Sequence, residues 1–283
     1  MTDLLSSTLF AAVMALLSWW LGTGAILWLV RLPAHMFRRS MSLLTVLLVL
    51  SLVATGWSMR EQSVIADYVG FVAVIVMWSW HEMAFLSGWI TGPRKIAQDP
   101  SATGLRRFVL AVQALLYHEL ALLVNFGVLL AMQQGMPNHV AMCTFALLWC
   151  MRLSAKLNLF FGVPQVGEQY LPQHLQYIGS YFRRSTITGC FYLTISLSGG
   201  TWLWLVLQAQ RGAVEVSTGW VLLASLLGLA IIEHVLMVFA LPLQRLWGWA
   251  MRRSPYAATR ATLLDPTPAV IVPVNAANQA DPA

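Results

Sequence analysis

The chain has 283 residues, of which 58% are hydrophobic and only 10% charged, with a mean hydropathy of +0.69. Soluble domains carry about 25% charge, so this composition excludes a soluble enzyme, a disordered chain and a secreted disulfide scaffold. The net charge of +6 sits in small basic groups between apolar runs, which is the pattern of membrane topology and not of nucleic-acid binding.

Runs long enough to cross about 30 Å of hydrocarbon lie near 8–30, 41–59, 64–90, 107–132, 139–162, 186–209 and 218–241. Hydrocarbon leaves no partner for an open backbone, so the expectation is an all-α polytopic membrane bundle of seven helices. Nothing basic precedes the first run, whereas Arg31, Arg38 and Arg39 follow it. It is also longer than the apolar core of a signal peptide, and reads as a retained span. The run at 64–90 is long enough to tilt or to leave the hydrocarbon at its ends. Segment 163–185 mixes Leu171, Leu175, Tyr177, Ile178, Tyr181 and Phe182 with polar residues. It suits either a stretch lying on the cytoplasmic interface or an ordered loop covering the helix ends. The tail 251–283, rich in Pro, Ala and Asn from about 261 onward, is expected to be cytoplasmic and disordered. Residues 1–250 then form one transmembrane domain.

Alternating the loops puts thirteen basic residues on one side, in the groups 31–39, 94–107, 183–184 and 245–260, and only Arg60 and Arg211 on the other. The positive-inside rule then places the N-terminus outside and the C-terminus in the cytoplasm, as in a multi-pass membrane protein. Cys143, Cys150 and Cys190 all fall in apolar runs and read as small packing residues.

The informative residues are ionisable groups inside the spans, which cost a few kcal/mol each on insertion scales and mark functional positions. They come as adjacent pairs: His81-Glu82 in the third span, His118-Glu119 in the fourth and Glu233-His234 in the seventh. Counting from the cytoplasmic ends puts the three glutamates roughly 12–18 Å deep at 1.5 Å per residue. Arg152 and Lys156 of the fifth span fall in the same layer.

Imidazoles and carboxylates are a ligand set for iron, zinc or manganese, so His81, Glu82, His118, Glu119, Glu233 and His234 are candidate metal ligands. Neighbours on a helix point about 100° apart, however, unlike the Glu-x-x-His spacing of di-iron bundles. A bare imidazole per span would suit ligation of bacteriochlorophyll or haem better. The competing expectation is a charge-paired network in which Arg152 and Lys156 neutralise the acids; a proton or ion pathway is a further one. Asp67 reads as reaching interfacial water at the outer end of its span. Gln113 and Asn125 read as interhelical hydrogen-bond partners, and His35, His139 and His174 as solvated. Gly88-x-x-x-Gly92 and Ala224-x-x-x-Gly228 have the spacing of close helix contacts.

The strings WHEMAFLSGWITGPRK (80–95), LLYHEL (115–120) and KLNLFFGV…EQYLPQHLQYIGSYFRR (156–184) resemble the PuhE family, photosynthetic complex assembly proteins of purple and aerobic anoxygenic phototrophic proteobacteria. The family's signature positions fall on His81, Glu82, Gly92, Pro93, Arg94, His118, Glu119, Lys156, Asn158, Pro172, His174 and Tyr181. The resemblance implies a membrane protein, usually encoded near the reaction-centre H subunit. It would help assemble the reaction centre or modulate bacteriochlorophyll supply, with photosynthetic subunits or pigment as partners beside the lipid bilayer. The alternative expectation is a metal-dependent membrane enzyme acting on a tetrapyrrole or lipid at the inner leaflet.

Overall fold

A computed structural model describes residues 7–168, 171–211 and 214–239. Seven long helices dominate it: α1 (Thr8–Val30), α2 (Phe37–Ser58), α3 (Val64–Leu86), α4 (Gly104–Gln133), α5 (Val140–Phe161), α6 (Gly189–Arg211) and α7 (Val214–Leu236). All seven are long and apolar enough to cross a membrane. Among the described residues there is no strand, only an isolated bridge between Val163 and Arg184. The proposed tail 251–283 lies outside the described residues.

Local chemistry explains where the helices begin and end. Ser7 and Ser63 cap α1 and α3, their hydroxyls accepting from the amides of Phe10 and Ala66 at 3.2 Å each, which satisfies donors that the first turn leaves open. At its other end α1 stops before Pro33, and the Arg31 guanidinium donates to the Leu27 carbonyl at 2.8 Å. That side chain is partly buried, and desolvation lowers its pKa.

α3 is the central helix, packed against α1, α2, α4, α5 and α7. Around it Phe71, Val74, Met77 and Met83 are fully buried. The packing continues through Leu122 and Leu129 of α4, Phe145 of α5 and Leu222 and Leu226 of α7. Lipid is as apolar as these side chains, so tight contact and polar bonds are what hold such helices together. One bond set clasps the end at which α3 begins. Asn138 donates to Asp67 at 2.7 Å and to the Glu61 carbonyl at 3.0 Å, and the Gly219 backbone adds a further bond to Asp67. Asp67 is thus buried at a junction of α3, α5 and α7 instead of reaching interfacial water.

The third apolar run, expected as a span to 90, is helical only to Leu86. Gly88 then takes φ +81°, a conformation open to glycine at little cost, and turns the chain. Residues 89–94 continue as non-helical backbone alongside α4. The His118 amide donates to the Thr91 carbonyl at 2.9 Å, and the Arg94 amide donates to the Gln113 carbonyl at 3.4 Å. Gly88 and Gly92 therefore serve this wedge and not a contact between two helices. Irregular backbone at membrane depth is tolerated where protein covers it and its polar groups find partners; Thr91 and Gly92 are both buried.

Segment 163–185 folds over the helix ends, the covering-loop arrangement. Its one-turn helix Gln176–Gly179 brings Leu175 and Ile178 down onto Phe85. The backbone is stitched to α5 and to the end of α7: Arg183 donates to the Leu159 carbonyl at 2.8 Å and Gln165 to that of Met237 at 2.9 Å. Side chains fasten it to the α3–α4 loop and the start of α4. Arg94 Nε donates to the Tyr181 hydroxyl at 2.7 Å, and that hydroxyl donates to the Ile96 carbonyl at 3.0 Å. Arg107 donates to the carbonyls of Tyr181 and Phe160 while lying 4.0 Å above the Phe160 ring. His174, exposed as expected, donates from Nε2 to the Leu86 carbonyl at 3.0 Å.

Candidate functional site

The three acid–imidazole pairs meet at one level of the bundle, and each pair is split between neighbours. Glu82 of α3 accepts from Arg152 of α5 at 2.9 Å, while His81 is hydrogen-bonded through Nε2 to Asn125 of α4 at 2.8 Å. Glu119 of α4 pairs with Lys156 and accepts from the Trp149 indole at 3.2 Å, both on α5. His118 turns the other way, onto the Phe85 ring of α3 with centroids 4.7 Å apart. Glu233 of α7 accepts from the Trp19 indole of α1 at 3.0 Å. His234 faces Ser154 of α5 at 2.8 Å. The 100° offset between neighbouring residues sends the two members of each pair to different helices.

Heights along the helices differ from the sequence-based count. Glu82 lies one turn before the end of α3, whereas Glu119 lies about 22 Å into α4 at 1.5 Å per residue. Both nevertheless reach the α5 cations, so α3 stops short. The wedge and the covering segment occupy the space beyond its end.

His234 Nδ1 sits 2.8 Å from the Ala230 carbonyl, which can only accept, so Nδ1 carries the proton. Nε2 faces the Ser154 hydroxyl, which also donates to the Met151 carbonyl at 2.9 Å. His81 and His118 are buried, at 3% and 1% exposure.

Among the described residues no three His, Cys, Asp or Glu side chains are grouped as a metal ion would require. The expected ligand set His81, Glu82, His118, Glu119, Glu233 and His234 is dispersed over separate contacts, and its carboxylates are taken by Arg152, Lys156 and two indoles. The Nε2 atoms of His81 and His234 likewise have protein partners, Asn125 and Ser154. What the residues form is the charge-paired network. It holds three carboxylates against two cations, with Arg152 interacting electrostatically with Glu119 and Glu233 besides Glu82.

Trp19 and Trp149 are partners that composition did not single out. A usable signal was their position, since indoles favour the membrane interfaces and a mid-span indole must find an acceptor for its N–H. Asn158, fully buried, donates to the Ser154 carbonyl at 2.9 Å and the Thr194 hydroxyl at 3.1 Å, tying α5 to α6 next to this layer. Gln113 contributes its backbone carbonyl to the wedge.

Residues 5–258 match a family described as a protein of unknown function (DUF3623). A Rhodobacter capsulatus protein, described as an uncharacterized 30.4 kDa protein in the puhA 5′ region, is 36% identical over 246 residues. The alignment covers 85% of this chain and 89% of that one. No solved structure matches the chain.

Proposed function

The chain belongs to the DUF3623 family, and we propose that it is an assembly factor for the photosynthetic reaction centre and its bacteriochlorophyll–protein complexes. The observation that carries the reading is genetic position. A relative alike over 85% of the chain is named for its place 5′ of puhA in Rhodobacter capsulatus, which supports a role connected with photosynthesis. The motif resemblance to the PuhE family narrows that role to assembly. The physical build agrees with a helper more than with a catalyst: both membrane-depth cations are taken up in ion pairs with Glu82 and Glu119, and a fastened segment covers the helix ends.

In this reading the protein sits in the bacterial cytoplasmic or intracytoplasmic membrane, with segment 163–185 and the C-terminus on the cytoplasmic side, where the basic loops belong. The paired layer fixes the helices in register, and the covered face and the lipid-facing helices are what partner subunits or pigment meet. Deleting the gene in the host phototroph is expected to lower reaction-centre absorbance or alter pigment content. Complementation with the intact gene should restore both. Unchanged reaction-centre yield in the deletion strain under every light and oxygen condition overturns the proposal.

A further inference from the structure

A groove of about 450 Å³ runs between α1 and α6 with α7 as its floor, lined among others by Leu16, Trp202, Ser225, Gly228 and Leu229. Its walls are mainly apolar, and its floor carries the small residues Ala224, Ser225 and Gly228, with the Trp202 indole resting against Gly228. Small residues on a lipid-facing helix let another backbone approach closely, but that alone identifies no occupant.

The groove's inner end does. Glu233 follows Leu229 by one turn on the same face of α7, and Trp19 follows Leu16 on α1, so the indole–carboxylate bond at 3.0 Å closes the channel. Glu233 is exposed and, among the described residues, forms no salt bridge; Arg152 acts on it only at longer range, its direct bond and that of Lys156 going to Glu82 and Glu119. Trp19 lies about 16 Å from the inner end of α1 at 1.5 Å per residue. A carboxylate at that depth is costly unless paired, and lipid headgroups lie too far out to supply the cation. A polypeptide span can carry one there.

We infer that this groove seats a transmembrane helix of a partner protein, whose Lys or Arg at inner-leaflet depth pairs with Glu233. The inference stands apart from the photosynthetic reading, because it rests on the groove and on Glu233 alone.

The test uses the full chain in phosphatidylcholine vesicles with fluorescent Leu/Ala-rich transmembrane peptides that carry a Gly-x-x-x-Ala step. One peptide has a single Lys about 16 Å from its cytoplasmic end; the controls have Leu or Glu at that position. Energy transfer from labelled protein should report association of the Lys peptide at least fivefold tighter than of either control. Glu233→Gln retains an acceptor for Trp19 and should abolish that preference. Ser225→Leu fills the groove and should weaken binding of the Lys and Leu peptides alike. Equal association of all three peptides, an unchanged preference in Glu233→Gln, or displacement of the peptides by a second copy of this chain overturns the inference.

Discussion

Gly92 lies directly against the Gln113 carbonyl of α4, so close that a Cβ at residue 92 would also stand 2.6 Å from the Ala114 carbonyl carbon. Contacts of that kind with backbone cannot be relieved by a rotamer change. Gly92→Ala must therefore push the wedge off α4 and break the Thr91–His118 bond. The variant is expected to melt well below the parent in detergent and to be cut in loop 87–103 by protease under conditions where the parent resists. Gly127, on the same helix with open space around it, is the control. There Ala should be neutral or stabilising by about 0.5–1 kcal/mol, since it removes a mid-helix glycine.

Glu119 and Lys156 are both largely buried, with side chains 24% and 17% exposed. Removing one member leaves the other charge unpaired, which costs about 3 kcal/mol or more for a buried pair. Glu119→Gln and Lys156→Met should each lower unfolding stability by roughly that amount, Glu119→Gln slightly less because Trp149 retains an acceptor. The double variant should recover most of the loss, and a double-mutant cycle from unfolding in detergent or bicelles measures the difference.

Tyr181 links the covering segment to the α3–α4 loop through one accepted and one donated bond. Tyr181→Phe preserves the ring and removes both, at about 1 kcal/mol for each lost bond and more where a charged donor is stranded. Hydrogen exchange across 171–185 should accelerate by tenfold or more, while exchange in the cores of α3 and α7 stays unchanged.

Asp99 accepts from the Ser101 hydroxyl and amide at 2.7 and 2.9 Å and pairs with Arg106. These bonds, the Ser101 ones foremost, hold its carboxyl below the usual carboxylate range. A group with a depressed folded pKa contributes above its unfolded value, near 3.9, and loses that contribution as pH falls through the folded pKa. Protease sensitivity of loop 95–103 should be flat from pH 8 to 5 and rise only below about pH 4. Asp99→Asn should show the loosened loop at every pH.

The basic loops give an orientation that labelling can check. In a cysteine-free background, Ser101→Cys should react with an impermeant maleimide only in inside-out vesicles, and Gln62→Cys only in intact spheroplasts. The opposite pattern would reverse the placement of both termini.

Seven helices were legible in the sequence because a lipid-crossing helix needs only length and apolarity, and these helices have both. The convergence of His81-Glu82, His118-Glu119 and Glu233-His234 with Arg152 and Lys156 was legible too, since charges in hydrocarbon must find one another. Their use was less so. Composition suggested a metal, yet the rotation between neighbours that made the spacing unconventional also splits every pair between two helices. The wedge was hidden because Ser87–Ile90 are apolar enough to extend a hydropathy run, and only Gly88 and Pro93 hinted that the helix ends. The burial of Asp67 was hidden for a different reason: it depends on Asn138 and Gly219, distant in sequence and ordinary in type.

The pairing of Thr91 with His118 also constrains how the protein is made. α4 leaves the ribosome after the wedge that will lie against it, and its middle acquires its full set of contacts only when α3 is already upright beside it. The wedge is therefore complete only once both helices stand side by side in the bilayer. A delay between them would leave the tight turn at Gly88 and the strip of backbone behind it facing acyl chains with no neighbour to shield them.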